Sequence, residues 1–195
     1  MMPHKFNPER MAMLVSPERH QRQPPERLLR AIGVAVGERV ADIGCGPGFY
    51  SLPAAHLVGS TGTVYALDLE EAMLSTVRAR ATEQGITNVE TLRSEESRLP
   101  LADGSVDVVL VANVLHECAD RGAFLREVRR VLVDGGRLAV IEWRKEPMPM
   151  GPPLSERMTV EDVRLLLTEA GFPAPDAVDA VATGPTHFGW VGAAR

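Results

Sequence analysis

The segment Val40-Ala41-Asp42-Ile43-Gly44-Cys45-Gly46-Pro47-Gly48 sets three glycines directly after a short apolar run and before a helical stretch. Glycine there permits a positive φ and lets a ligand approach bare backbone. The following helix points its free N–H groups into the same space. A plain tight turn would use the same residues, so the flanks must decide. Phe49 stands where a dinucleotide fingerprint needs glycine or alanine, which disfavours nicotinamide and flavin nucleotides. No Lys-Ser/Thr pair follows the glycines, so the segment is not a nucleoside-triphosphate loop. A nucleoside-like ligand without a pyrophosphate is what remains.

Outward from this turn the chain alternates strands and helices. Residues 39–43 read as the first strand. Upstream, Leu28, Leu29, Ile32 and Val36 share one face of a helix over 26–36, stopped by Gly37. Downstream come a helix over 48–58, a strand over 63–67, a helix over 70–84 closed by Gly85, and a strand over 89–93. Residues 106–111 are apolar apart from Asp107, as in a strand buried on both faces. Phe124, Leu125, Val128, Val131 and Leu132 stripe a helix over 120–132, ended by Asp134-Gly135-Gly136 before a strand over 137–143. Four prolines make 145–153 an extended loop. Thr159 and Asp162 form a capping box for a helix reaching Ala170. The tail, 174–194, has room for two strands about Gly184-Pro185. The pattern predicts an α/β fold, a doubly wound, parallel sheet covered on both faces. Five prolines make residues 1–25 irregular. The expected division is an N-terminal segment, 1–25, and one domain, 26–195.

Composition narrows the function. The 195 residues are 45% hydrophobic and 24% charged, with a net charge of −5, which argues against a nucleic-acid partner. Two cysteines, Cys45 and Cys118, make neither a disulfide framework nor a zinc set, so no metal is expected. No signal-peptide core and no membrane-length apolar run is present, and the expected compartment is the cytoplasm. Arg126, Arg129 and Arg130 read as a solvated helix face.

Polar residues gather where the strands end. Asp68 ends the second strand, 20 residues after Gly48, where a carboxylate can accept both ribose hydroxyls or cap the next helix. Glu95 follows the third strand and Asn113 the fourth. Polar groups converging with the glycine turn at one sheet edge fit a pocket.

These features resemble the class I S-adenosylmethionine-dependent methyltransferases, and most nearly their ubiquinone/menaquinone-biosynthesis-type branch. Residues 42–48 are similar to the family's first motif and Tyr65-Ala66-Leu67-Asp68-Leu69 to its second. Ser94-Glu95-Glu96 before Leu99-Pro100 stand where the family usually has Gly-Asp-Ala. The resemblance implies a mostly parallel seven-stranded sheet with a reversed last strand over 186–193. It implies S-adenosylmethionine as cofactor and S-adenosylhomocysteine as product. The implied cofactor-binding set is Asp42, Gly44, Cys45, Gly46, Gly48, Asp68, Leu69, Ser94, Glu95 and Asn113. Within it Asp42 lies near the methionine amino group and Glu95 near the adenine amino group. The N-terminal segment, with His4, Lys5 and Phe6, is implied as a lid.

Methyl transfer is an in-line displacement, so placement is the enzyme's main task. His116 and Glu117 follow Asn113 and are the candidates for a general base; simple packing is the competing reading of His116. Tyr50, Glu142 and His4 are further candidates. The acceptor is expected to be a small molecule, with a homodimer left open as the oligomeric form. The competing functions are a non-catalytic module that binds the same cofactor and, less favoured, a nicotinamide-dependent oxidoreductase.

Overall fold

The computed structural model describes residues 8–173, 175–178 and 183–194. Seven strands form one sheet in the order β3-β2-β1-β4-β5-β7-β6: β1 (Arg39–Ile43), β2 (Thr63–Asp68), β3 (Val89–Arg93), β4 (Val106–Ala112), β5 (Leu132–Trp143), β6 (Asp176–Ala177) and β7 (His187–Ala193). Pairings among β1 to β5 are parallel, while β7 runs antiparallel between β5 and β6. The sheet is therefore mostly parallel, with the last strand reversed.

Side chains alternate across the central strands, as the period of two requires. Val109 and Val111 of β4 and Leu138 and Val140 of β5 join one core with Phe124, Leu125 and Val128 of α5 (Arg121–Val131) and Val163 and Leu167 of α6 (Val160–Glu169). Val108, Leu110, Ala139 and Ile141 face the other core, with Leu28 and Leu29 of α2 (Pro25–Ala31) and Ala54, Ala55 and Val58 of α3 (Ser51–Val58). Helix α4 (Glu71–Glu83) lays Leu74, Val77 and Ala81 against Cys45, Leu52 and Ala66. Burial on both faces is why β4 carries no alternation in its sequence.

Four expectations are corrected. The helix foreseen over 26–36 ends at Ala31. Gly33 adopts φ +80°, and Gly33 N–H and Val34 N–H donate back to the Arg30 and Leu29 carbonyls, closing the helix one turn early. Val36 is consequently 75% exposed. Residues 1–25 are not all irregular: a 3-10 helix (Pro8–Val15) precedes α1 (Pro17–Arg22). Pro17 and Pro25 occupy first helical turns, where a missing N–H costs nothing, and Ser16 caps α1 through Arg19 N–H. The Asp134-Gly135-Gly136 turn does not delimit β5; it is an irregularity inside a longer strand, where β4 shifts register between Val106 and Val108. Arg130 is not merely solvated, since it pairs with Asp103 and Glu127 and donates to the Leu99 and Leu101 carbonyls.

Candidate active site

The glycine turn sits at the carboxyl end of β1. Gly44 N–H and Cys45 N–H both donate to the Leu67 carbonyl at 2.8 and 2.9 Å, tying the turn to β2. Gly44 has φ +70°, and a Cβ there would stand 2.3 Å from Val114 Cγ2. Only glycine satisfies both the backbone and the space. Gly48 N–H closes the turn on the Cys45 carbonyl. The Cys45 side chain is buried, with its thiol pushed well above the usual range by burial and by Asp42 and Asp68.

Asp68 ends β2 beside this turn. Its Oδ2 accepts from Gly46 N–H and its Oδ1 from Glu70 N–H, each at 2.9 Å. The carboxylate thus does part of a cap's work while facing the glycines. Two N–H contacts leave other lone pairs of its roughly four acceptor sites open. Burial raises its pKa, and the two N–H groups pull it back. Leu69 is half-buried, and its carbonyl accepts from Arg93. Ser94, buried, donates its N–H to the Asp68 carbonyl at 3.1 Å, so β2 and β3 end together. Glu95 is exposed, exchanges backbone hydrogen bonds with Arg98 and lines a shallow cleft with Arg93, Leu99 and Pro100.

Asp42, near the end of β1, is 2% exposed and accepts from the Ser51 hydroxyl at 2.5 Å. Burial pushes its pKa up to about 6, against the hydrogen bond from Ser51. Asn113 follows β4 with φ +62°, a conformation asparagine tolerates, and its Oδ1 is buried without a partner. An orphaned acceptor in such a place fits a ligand group.

His116 lies in the short 3-10 helix Leu115–Glu117 and is 4% exposed. Its Nδ1 is 2.7 Å from Glu142 Oε2, while Glu142 Oε1 accepts from His116 N–H at 3.2 Å. Glu142, itself 1% exposed, holds this ring from the end of β5. Glu117 Oε1 stands 3.8 Å from His116 Nε2. Burial works against a charged imidazole, but Glu142, Glu117 and Glu156 outweigh it and His116 is raised. The structure thus brings together His116, Glu117 and the lesser candidate Glu142.

Two coverings close over these strand ends. The loop after β5 is shaped by Arg157, 4% exposed, whose guanidinium donates to the carbonyls of Arg144, Glu146, Met150 and Pro152. On the other side, Leu14 packs toward Gly46, and Thr76 donates to Met11 Sδ at 3.1 Å. Arg19 places its guanidinium 3.9 Å over the Phe49 ring. His4, Lys5 and Phe6 lie outside the described residues. Nothing in the local sequence marks Arg19 or His187, and Tyr50 is only a further candidate there.

A family model described as a methyltransferase domain matches residues 41–140. A ubiquinone/menaquinone biosynthesis C-methyltransferase of Pseudomonas fluorescens is 40% identical over 114 residues, 58% of this chain and 44% of that protein. Another so described, from Haemophilus ducreyi, is 31% identical over 146 residues, 74% of this chain and 55% of that protein. The chain therefore spans about half the length of the curated relatives it matches. A crystal structure of an S-adenosylmethionine-dependent methyltransferase from Aquifex aeolicus superposes with a TM-score of 0.92 at 35% identity, covering 98% of this chain and 100% of that one. The bare backbone at Gly44, the open lone pairs of Asp68 and the orphaned Asn113 Oδ1 suit the nucleoside cofactor of such proteins. The chain belongs to the methyltransferase domain family, as a class I S-adenosylmethionine-dependent methyltransferase.

Proposed function

We propose that this protein seats S-adenosylmethionine across the glycine turn and passes the methyl group to a small-molecule acceptor over the ends of β4, β5 and β7. One observation carries the cofactor half: the Asp68 carboxylate, anchored by two backbone N–H groups, faces the glycines with acceptor capacity to spare. Two ribose hydroxyls need that chemistry in that place. In this reading Gly44, Cys45, Gly46 and Gly48 supply bare backbone. Leu69 and Ser94 flank the sugar, Glu95 serves the adenine amino group, Asp42 the methionine amino group, and Asn113 offers its free Oδ1. Bound there, the cofactor supplies a sulfonium methyl and leaves as S-adenosylhomocysteine. The relatives named as quinone-biosynthesis C-methyltransferases favour a ring carbon of a quinol-like acceptor. We place the protein in the reducing cytoplasm, in keeping with two free buried thiols; among the described residues no helix is long and apolar enough to cross a membrane.

His116 is the base in this scheme and Glu142 its positioning residue. With Nδ1–H donating to Glu142, Nε2 is the nitrogen left to take a proton from the acceptor. His116→Gln should lower kcat by about 10²–10⁴-fold, the usual worth of a general base, with S-adenosylhomocysteine affinity unchanged. Glu142→Gln removes the carboxylate that raises His116, so the acid limb of the pH–rate profile should move to lower pH. Methyl transfer from labelled S-adenosylmethionine to reduced quinols measures both. An unshifted profile would assign Glu142 a purely structural part.

The N-terminal segment, 1–25, acts as a lid over the domain 26–195, a reading supported by the contacts of Leu14 and Arg19 with the glycine turn and Phe49. Deleting residues 1–20 should weaken cofactor binding by about tenfold in calorimetry, the worth of one or two lost contacts. Unaltered affinity and turnover would remove the lid.

A further inference from the structure

Two side chains beside the site bury polar atoms: Tyr50 Oη, whose neighbour is the Arg19 guanidinium, and His187 Nε2, which has no hydrogen-bond partner. They are 3% and 4% exposed. His187 begins β7, and its ring lies against Trp143 with centroids 4.1 Å apart. Trp143 is backed in turn by Gly151, where a Cβ would stand 2.8 Å from the indole. The indole is therefore clamped, and it fixes the imidazole rather than offering a free face. Thr186 Oγ1 lies 2.9 Å from His187 Nδ1. The Thr186 hydroxyl can donate to Nδ1, and in that tautomer the ring proton sits on Nε2, which has no partner.

Arg19 adds a charge. It is half-buried, one guanidinium N–H donates to the Leu14 carbonyl at 2.7 Å, and no acidic side chain among the described residues forms an ion pair with it. The carboxylate that acts on it is Asp42, with Tyr50 also beside it, and a desolvated cation gains further from an anion that a ligand supplies. The charge of Arg19 acts on both Tyr50 and His187. Burial, with Arg19 and Arg22, holds His187 neutral, down to about 3. The other groups acting on it are His116 and Arg144, and the chain at Arg144 is bonded to Thr186.

The strand order sets His187 apart from the cofactor's place. Asp68 and the glycine turn belong to β2 and β1, His187 and Trp143 to β7 and β5, and β4 lies between the two sets. At about 4.8 Å per strand, β5 is roughly 10 Å from β1. His187 and Trp143 thus stand on the far side of β4, while Tyr50, two residues after Gly48, and Arg19, over Phe49, border the glycine turn, so the group adjoins the cofactor's place.

We propose that Arg19, Tyr50 and His187 form the subsite that receives an ionised oxygen of the methyl acceptor, a phenolate or enolate, with Trp143 setting the orientation of His187. This rests on the reading that the glycine turn seats S-adenosylmethionine. An ionised oxygen enriches itself and the adjacent carbon with electrons. The acceptor's electron pair forms the bond to the methyl carbon, the pair of the broken carbon–sulfur bond stays on sulfur, and the two opposite charges cancel. After attack at a ring carbon, the displaced ring proton passes to His116.

The test titrates the full chain, saturated with S-adenosylhomocysteine, with 4-nitrophenol, whose visible absorbance reports the phenolate. Saturable binding of the phenolate is expected, with the probe's own pKa lowered in the complex. 4-Nitroanisole, which cannot ionise, should compete about tenfold or more less well, the worth of a charge-assisted hydrogen bond. Arg19→Met should weaken phenolate binding by about 10–100-fold, and Arg19→Lys by less. His187→Phe keeps the stack on Trp143 and removes the nitrogen; about a tenfold loss is expected, with S-adenosylhomocysteine affinity unchanged. Equal competition by 4-nitroanisole, or wild-type phenolate affinity in both Arg19→Met and His187→Phe, overturns the subsite. Loss of S-adenosylhomocysteine rather than phenolate binding in Arg19→Met would give Arg19 to the cofactor's carboxylate and overturn it too. If the wild type takes up no S-adenosylhomocysteine, the cofactor reading falls instead, and a phenolate titration without it still decides the subsite.

Discussion

Replacing Asp68 by alanine is expected to lower affinity for S-adenosylhomocysteine by about 10²–10⁴-fold. The expectation follows from two ribose hydroxyls donating to one carboxylate, each such bond being worth roughly 1.5–3 kcal/mol. Alanine also releases Gly46 N–H and Glu70 N–H, so the turn loosens on the side that meets the ligand. Asp68→Asn separates the two effects, because its amide oxygen still accepts from one of these N–H groups while its NH₂ cannot accept from the sugar. Calorimetry on both variants, with thermal melts to show that the fold persists, reads the result. Affinity within about threefold of the wild type in both would remove Asp68 from the cofactor site and the proposed binding mode with it.

The second large effect concerns Asp42, whose replacement by asparagine should stabilise the protein and impair it. Burial holds the Asp42 carboxyl at about 6 against an ordinary 3.8. A carboxyl raised on folding binds its proton more tightly in the folded state, so it favours folding below 3.8 and ceases to do so as pH rises through 6. Ionised at pH 7.5, it costs about 3 kcal/mol relative to a neutral group, at roughly 1.4 kcal/mol per unit. Asparagine keeps the shape and can still accept from Ser51. The variant should therefore gain up to about 3 kcal/mol over the wild type at pH 7.5 in denaturant melts. That gain should shrink as pH falls through 6 and vanish below 3.8. A ligand ammonium would draw the carboxyl back down, so cofactor binding near pH 6 should release a proton from the wild type and none from the variant. Calorimetry in buffers of different ionisation enthalpy measures that release. Equal proton release by both proteins would place the ammonium elsewhere.

Local chemistry made much of this molecule legible. The apolar run Val108–Val111 of β4 reads as burial on both faces, and the Thr159–Asp162 box marks the start of α6. The glycines after β1 were informative because Phe49 and the missing lysine narrowed the ligand. Competition between adjacent signals was harder to read. Gly33 and Gly37 can each end the second helix, and only the apolar contacts of Leu28, Leu29 and Val34 decide for Gly33. Prolines up to residue 25 look like breakers until two of them, Pro17 and Pro25, take first-turn positions. Glu142 stands in the sequence only as a separate candidate from His116, because it comes from β5, 26 residues further along the chain. His187 gains its setting only when a reversed strand inserts beside β5, bringing its ring to Trp143. Arg19 likewise acquires meaning from what α1 lies upon.

The four carbonyls gathered by Arg157 all belong to residues 144–152, and the guanidinium comes from the same stretch of chain a few positions later. The knot is thus internal to one contiguous module. Transplanted onto another sheet of this order, residues 144–157 would carry these four hydrogen bonds with them, leaving only outward contacts such as Gly151 on Trp143 to be rebuilt.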